Sequence, residues 1–146
     1  MEYLSSSNEQ TLEIGQQIAS TLVGGDILLM YGDLGAGKTT LTKGIAKGLG
    51  VDNDITSPTF PLMNIYQVDV GNIKQLVHID AYRMEDAQEL LDIGVEDYLG
   101  SPDTVTIIEW PEKIESLLTG KNIKKIHLEH LGEEKRNITF SNNLSP

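Results

Sequence analysis

Gly32 and Gly37, followed at once by Lys38 and Thr39, stand at the spacing G-x-x-x-x-G-K-[ST] in the segment Gly32-Asp33-Leu34-Gly35-Ala36-Gly37-Lys38-Thr39. This set of residues suits the polyphosphate of a nucleoside triphosphate. Successive backbone N–H groups can wrap such an anion, and glycine permits both the tight loop and close approach of the main chain. Lys38 is expected to reach the β- and γ-phosphates, and the Thr39 hydroxyl to serve Mg²⁺. From Thr40 onward the chain is predicted to be helical, with its positive N-terminal end facing the anion. The expected contacts with ATP therefore run through Asp33, Leu34, Gly35, Ala36, Gly37, Lys38, Thr39 and Thr40. Asp33 would put a negative side chain beside phosphates, so it is expected to point away and bond to loop amides.

A phosphate loop also needs an acid near its metal, commonly at the end of a neighbouring strand. Two apolar runs end this way: Gln75 to Ile79 leads to Asp80, and Val105 to Ile108 leads to Glu109. Each acid would emerge at the carboxyl edge of a sheet, where ligands bind in α/β proteins. Either can ligate Mg²⁺ directly or orient water, and the sequence does not divide the two roles. Trp110, the single tryptophan, follows Glu109 and can stack on the base, cover the nucleotide or fill core. Arginine is scarce, with Arg83 and Arg136 the two in the chain. A cation on the γ-phosphate is worth about three to five orders of magnitude in rate. Arg83, close to Asp80, is the expected internal candidate. If neither arginine reaches the nucleotide, hydrolysis is slow and a partner completes the site. His78, His127 and His130 lack the spacing of a metal cage and read as structural or surface residues.

The elements that position these groups are legible in outline. Ser7 with Gln10 reads as a capping box opening a helix with Leu12, Ile14, Ile18, Ala19 and Leu22 on its apolar face, stopped at Gly24-Gly25. Ile27 to Tyr31 has the continuous apolar character of a strand buried on both faces between parallel neighbours. Leu41, Ile45 and Leu49 recur at helical spacing, and Gly50 suits a left-handed cap. Ser57-Pro58-Thr59-Phe60-Pro61 cannot be helix interior and reads as an exposed, restricted loop. Leu62 to Val68 and Lys74 to Asp80 form a hairpin turning at 69–73, so the sheet is predicted to be mixed. A short acidic helix over Glu85 to Leu91, a strand over Thr104 to Ile108, a helix from Pro111 to Leu118 and a hairpin of Ile123 to His130 with Asn137 to Ser141 complete the reading.

Length and composition narrow the class. A chain of 146 residues is expected to be one domain with little room for a lid. With no cysteine, disulfides, thiolate zinc sites and cysteine nucleophiles are excluded. A formal charge of −11 disfavours direct binding of nucleic acid and suits solubility or docking on a basic partner surface. No apolar run reaches membrane-spanning length and the N-terminus lacks a signal-peptide pattern, so a cytoplasmic protein is expected. No N-K-x-D segment reads guanine, which favours adenine. A small-molecule or nucleotide kinase and a nucleotide-dependent binding switch remain as alternatives, the kinase disfavoured by the scarcity of arginine.

Gly32 to Thr40, Ser57-Pro58-Thr59-Phe60, His78-Ile79-Asp80-Ala81-Tyr82-Arg83 and Ile108-Glu109-Trp110-Pro111-Glu112 together resemble the bacterial TsaE family, the ATPase of tRNA threonylcarbamoyladenosine biosynthesis. S-P-T-F, D-x-Y-R and E-W-P-E in this order are far more specific than the loop alone, and the resemblance covers essentially the whole chain. It implies a three-layer, P-loop NTPase-like α/β fold with a mixed parallel and antiparallel central sheet. It also implies ATP and Mg²⁺ as cofactors, with Lys38, Glu109 and Asp80 as catalytic residues and Thr39, Glu109 and Asp80 around the metal. The implied partner is a TsaB–TsaD-type transferase complex, whose turnover ATP hydrolysis supports; tRNA is met only through that complex, and no membrane is involved. Ser57, Thr59 and Phe60 would form a first switch and Trp110 with Pro111 a second, with Arg83 near the partner. Pro61 departs from the family pattern, which has a small or β-branched residue there. The segment from Gly132 to Pro146 matches loosely and carries no site assignment.

Overall fold

An uninterrupted apolar strand needs cover on both faces, and the chain supplies it with two separate sets of helices. The structure is a computed structural model and describes residues 1–33, 35–51 and 63–143. In chain order its strands are β1 (Glu2–Ser5), β2 (Ile27–Tyr31), β3 (Met63–Val70), β4 (Ile73–Asp80), β5 (Thr104–Glu109), β6 (Ile123–Gly132) and β7 (Lys135–Asn143). The helices are α1 (Asn8–Ala19), α2 (Lys38–Gly48) and the short α3 (Gln88–Asp92). All seven strands form one sheet in the order β1-β7-β6-β2-β5-β4-β3. The central strands β6, β2, β5 and β4 are parallel, whereas β3, β7 and β1 pair antiparallel at the flanks. This is the expected mixed α/β sheet.

Alternation along β2 divides the core. Leu28 and Met30 face α1 and α2, where Ile14, Ile18, Leu41 and Ile45 are buried. Ile27 and Leu29 face the other side, covered by Leu90 of α3 and by Val95, Leu99, Ile114 and Leu118. The result is three layers. Helices α1 and α2 meet with almost no side chain between them: a Cβ on Gly15 would lie 2.8 Å from the Gly44 backbone, and one on Gly44 would lie 2.4 Å from the Leu12 carbonyl oxygen. No helix among the described residues is long and apolar enough to cross a membrane.

The α1 cap is as read, with the Gln10 N–H donating to Ser7 Oγ at 3.1 Å and the Gln10 side chain accepting from the Ser6 N–H at 2.6 Å. Several boundaries differ. The first hairpin turns on Gly71-Asn72 alone, because Val70 and Ile73 already pair, and β3 carries a bulge between Gln67 and Val70. The last hairpin likewise extends to Gly132 and Lys135, with Glu133 at φ 51° supplying the turn. The acidic helix is shortened to α3. The helix expected from Pro111 to Leu118 is two 3₁₀ turns, Pro111–Lys113 and Glu115–Leu118, parted at Ile114. Strand β1 was not expected at all. It has no apolar alternation of its own and exists because β7 offers a free edge, pairing Glu2 with Thr139 through Ser5 with Arg136.

Candidate active site

The phosphate loop leaves the sheet between the two strands that would carry the metal acids and the last hairpin. β2 runs directly into Gly32, and α2 starts at Lys38 behind Gly37, whose φ of 100° is the left-handed conformation that favours glycine. Gly37 is also crowded, since a Cβ there would stand 3.1 Å from Arg136 Nε. Because β4 and β5 are parallel and in register, Asp80 lies directly beside Glu109 at their carboxyl ends. A cleft of about 410 Å³ opens here, lined by Asn8, Gly35, Gly37, Lys38, Thr39, Thr40, Asp80, Tyr82, Glu109, Trp110 and Arg136. Most of the residues singled out by their chemistry are thereby brought together.

Lys38, Glu109 and Asp80 share this cleft with Arg136, and each of the three has its own hydrogen-bond partner. The Lys38 ammonium donates to the Gly32 carbonyl at 2.5 Å and lies 3.4 Å from the centroid of the Trp110 ring. Its burial pushes the Lys38 pKa down, against the favourable charges of Glu109 and Asp80. Glu109 is buried, and its Oε2 is 2.5 Å from Nε2 of His78, which is fully buried. Asp80 accepts from the Tyr82 N–H at 3.0 Å. Burial pushes the Asp80 carboxyl up, and that hydrogen bond opposes the shift. Among the described residues no ion pair closes between Lys38 and either acid.

Trp110 owes its position to an uncommon backbone. It sits at φ 58°, ψ 52°, left-handed for a bulky residue, immediately before Pro111. The Tyr82 ring packs against it at 4.9 Å with a 45° tilt, and Lys113 Nζ in turn donates to the Tyr82 and Met84 carbonyls at 2.6 and 2.9 Å.

The remaining expectations divide. Asp33 is exposed, and its backbone carbonyl accepts from the Ala36 N–H at 3.0 Å. Ala36 is buried and does not line this cleft. Leu34 and the proposed switch residues Ser57, Thr59 and Phe60, with Pro61, lie outside the described residues. Arg83 is exposed and away from the cleft lining; Arg136 is the arginine that reaches it. The Arg136 Nη1 donates to the Glu133 and Lys135 carbonyls at 3.1 Å each, which aims the side chain over Gly37.

Sequence reasoning also passed over Asn8, Tyr82 and His78. Tyr82 stood inside D-x-Y-R without a role. Asn8 carried no signal, since tertiary contacts bring the start of α1 to the loop: the β1 to β7 pairing, the buried Ser5–Thr11 hydroxyl contact of 2.7 Å and the close packing of α1 on α2. His78, read as a structural or surface residue, is neither exposed nor apolar in its contacts.

Thr39, Asp80 and Glu109 present hydroxyl and carboxylate oxygens, the hard donors that suit Mg²⁺. No group of three or more His, Cys, Asp or Glu among the described residues forms a metal cage. That donor set fits a magnesium ion shared between one or two carboxylates and substrate phosphates.

The sheet, the loop after its central strand and the paired acids define a phosphate-loop α/β protein. The comparisons narrow this further. A family described as threonylcarbamoyl adenosine biosynthesis protein TsaE matches residues 5–138. The tRNA threonylcarbamoyladenosine biosynthesis protein TsaE of Bacillus subtilis is 37% identical over 141 residues, covering 97% of this chain and 85% of that protein. The Treponema pallidum protein of the same name is 35% identical over 141 residues, covering 97% and 100%. A crystal structure of Bacillus subtilis YdiB superposes with a TM-score of 0.78 at 32% identity, over 97% of this chain and 84% of that one. The chain belongs to the TsaE family.

Proposed function

We propose that the chain is an ATPase that binds ATP with Mg²⁺, hydrolyses it slowly alone, and supports a TsaB–TsaD-type transferase complex in forming N6-threonylcarbamoyladenosine on tRNA. The observation that carries this reading is the single cleft in which Lys38, Thr39, Asp80, Glu109 and Trp110 converge at the carboxyl ends of neighbouring parallel strands. The names of the relatives support the tRNA-modification role.

The residues act as follows. Backbone N–H groups of the loop and the start of α2 receive the phosphates. Lys38 exchanges Gly32 and Trp110 for the β- and γ-phosphates, a gain in charge complementarity that offsets its burial. Thr39, with Asp80 or Glu109, holds Mg²⁺, which when bound supplies positive charge against the phosphate oxygens. Glu109, with Oε2 held by His78, offers Oε1 to orient the attacking water and draw on its proton. Arg136 reaches the loop from β7. The open cleft and the formal net charge of −11 favour completion by a basic partner.

The experiment is ATP hydrolysis by the chain alone and with the two partner proteins, alongside ATP-dependent co-purification. A rise in rate with stable association supports the proposal. Neither rate gain nor association overturns it.

A further inference from the structure

We infer that His78 is a positioning residue for Glu109: it fixes which carboxylate oxygen faces the phosphate cleft and keeps Glu109 off Lys38. The inference deepens the ATPase reading and rests on it for its kinetic consequence, though the contact itself stands on geometry alone.

His78 lies inside a parallel strand, two residues before Asp80, between the buried aliphatic residues Val77 and Ile79. An aliphatic side chain there would need no partner, whereas a buried imidazole costs free energy unless it is hydrogen-bonded. Its described polar contact is the 2.5 Å approach of Nε2 to Glu109 Oε2. The other ring nitrogen, Nδ1, is buried with no partner among the described residues. The ring is therefore placed for Glu109 and leaves half its own hydrogen-bonding capacity unused.

That imbalance selects a tautomer. With the proton on Nε2, the ring donates to an ionised Glu109 and leaves a bare lone pair at Nδ1. A proton on Nδ1 instead would turn a bare nitrogen toward the carboxylate oxygen and orphan a buried N–H. The bond then occupies Oε2 and leaves Oε1 toward the cleft. It also explains why Lys38 is held by a carbonyl and a ring although a carboxylate raises its charge affinity from close by. With Glu109 tethered, the cleft keeps its charges apart before any ligand arrives. Partners that orient a metal-site carboxylate in this way typically matter by about 10–100-fold in metal affinity or activity.

The test uses the full chain. Nitrogen NMR of the histidine rings in the nucleotide-free protein is expected to show His78 protonated on Nε2 and bare on Nδ1; protonation on Nδ1 overturns the inference. In His78→Leu, nucleotide affinity measured by calorimetry with ADP is expected to stay within about threefold, Mn²⁺ affinity in the presence of ADP to fall about 10–100-fold, and hydrolysis to fall in kcat more than in KM. His78→Gln, which keeps a donor near the Nε2 position, is expected to recover most of both losses. If His78→Leu matches the unmodified chain in Mn²⁺ affinity and kcat, or if His78→Gln is as impaired as His78→Leu, the inference fails. Should His78→Leu not fold, His78→Gln and the tautomer measurement decide. An unmodified chain that takes up no ATP would remove the ATPase reading, and the NMR result would still accept or reject the pairing.

Discussion

Two clefts flank the phosphate loop. The larger, about 600 Å³, lies against Gly32, Ala36 and the polar face of the last hairpin, where His127, Glu129, Asn137 and Thr139 stand. The smaller, about 410 Å³, holds Lys38, Asp80 and Glu109. In the larger cleft both histidines are held locally: the His127 ring stacks on Tyr31 at 4.7 Å and 10°, and Nε2 of His130 lies 2.8 Å from the Glu133 carbonyl oxygen. In the smaller, Lys38, Glu109 and Asp80 are each held by another partner, and among the described residues Lys38 pairs with neither acid. Room for a ligand is therefore a poorer guide to chemistry than charge that the fold has desolvated and prevented from neutralising itself.

The strongest way to break this contrast is Glu109→Ala. If Glu109 orients the attacking water, hydrolysis falls by about 10²–10⁴-fold, the usual worth of a positioned proton acceptor, while ATP affinity changes little. Single-turnover hydrolysis together with calorimetry separates the two quantities. Equal hydrolysis by the variant and the unmodified chain removes Glu109 from the site. Lys38→Ala follows in size, since a charge-assisted contact to phosphate is worth about 1.5–3 kcal/mol, or roughly 10–100-fold in affinity. Calorimetric titration with ATP and Mg²⁺ checks it, and undiminished binding would mean that the parked ammonium never moves to the phosphates.

How far these groups could be read from the chain depends on how local their placement is. Lys38 and Thr39 were legible because strand, loop and helix are contiguous. Asp80 and Glu109 were legible as acids ending apolar strands, but their adjacency needed the β4 to β5 register, which no local pattern encodes. Arg136 reaches the loop because β7 pairs with β6 beside β2, and Asn8 because β1 joins the β7 edge and α1 packs on α2, all contacts distant in sequence. His78 was legible as a structural residue but its partner was not, for a different reason: a polar residue in an apolar strand announces that it needs a partner without naming it. The mixed sheet followed from the strand and turn pattern and the three-layer form from the family resemblance, whereas the 3₁₀ turns after Pro111 lie where Lys113 takes hold of the Tyr82 and Met84 carbonyls, which is tertiary.

A smaller effect concerns stability. Burial pushes the Asp80 carboxyl above its ordinary range, so the folded chain binds that proton more tightly than the unfolded chain does. Its contribution therefore favours folding at low pH and is lost as pH rises from the ordinary carboxylate pKa, about 3.9, through the raised value. In the nucleotide-free protein Asp80→Asn keeps an acceptor for the Tyr82 N–H and removes the desolvated charge. It is expected to raise Tm modestly at neutral pH, to flatten the pH dependence between about 4 and neutral, and to slow hydrolysis. Thermal melts across that range measure it, and a lower Tm at neutral pH would show that the carboxylate is better satisfied than its burial implies.

The smallest expected effect sharpens the contrast from the other side. His127→Ala removes a ring stacked on Tyr31, whose hydroxyl donates to Glu115 Oε1 at 3.0 Å, so the loss is one aromatic contact of about 0.5–1.5 kcal/mol. That cost falls on folding. His127 pairs with Tyr31 along β6 and β2, but its side chain lines the larger cleft and is absent from the lining of the one that holds Lys38. ATP affinity is therefore expected to stay within about threefold, less than one charge-assisted contact is worth. A loss beyond tenfold would place the nucleoside half of ATP in the larger cleft, leaving the smaller one only the phosphates and metal. The two clefts would then be halves of one site divided by the loop, and the division of labour argued from their charges would become a division along a single ligand.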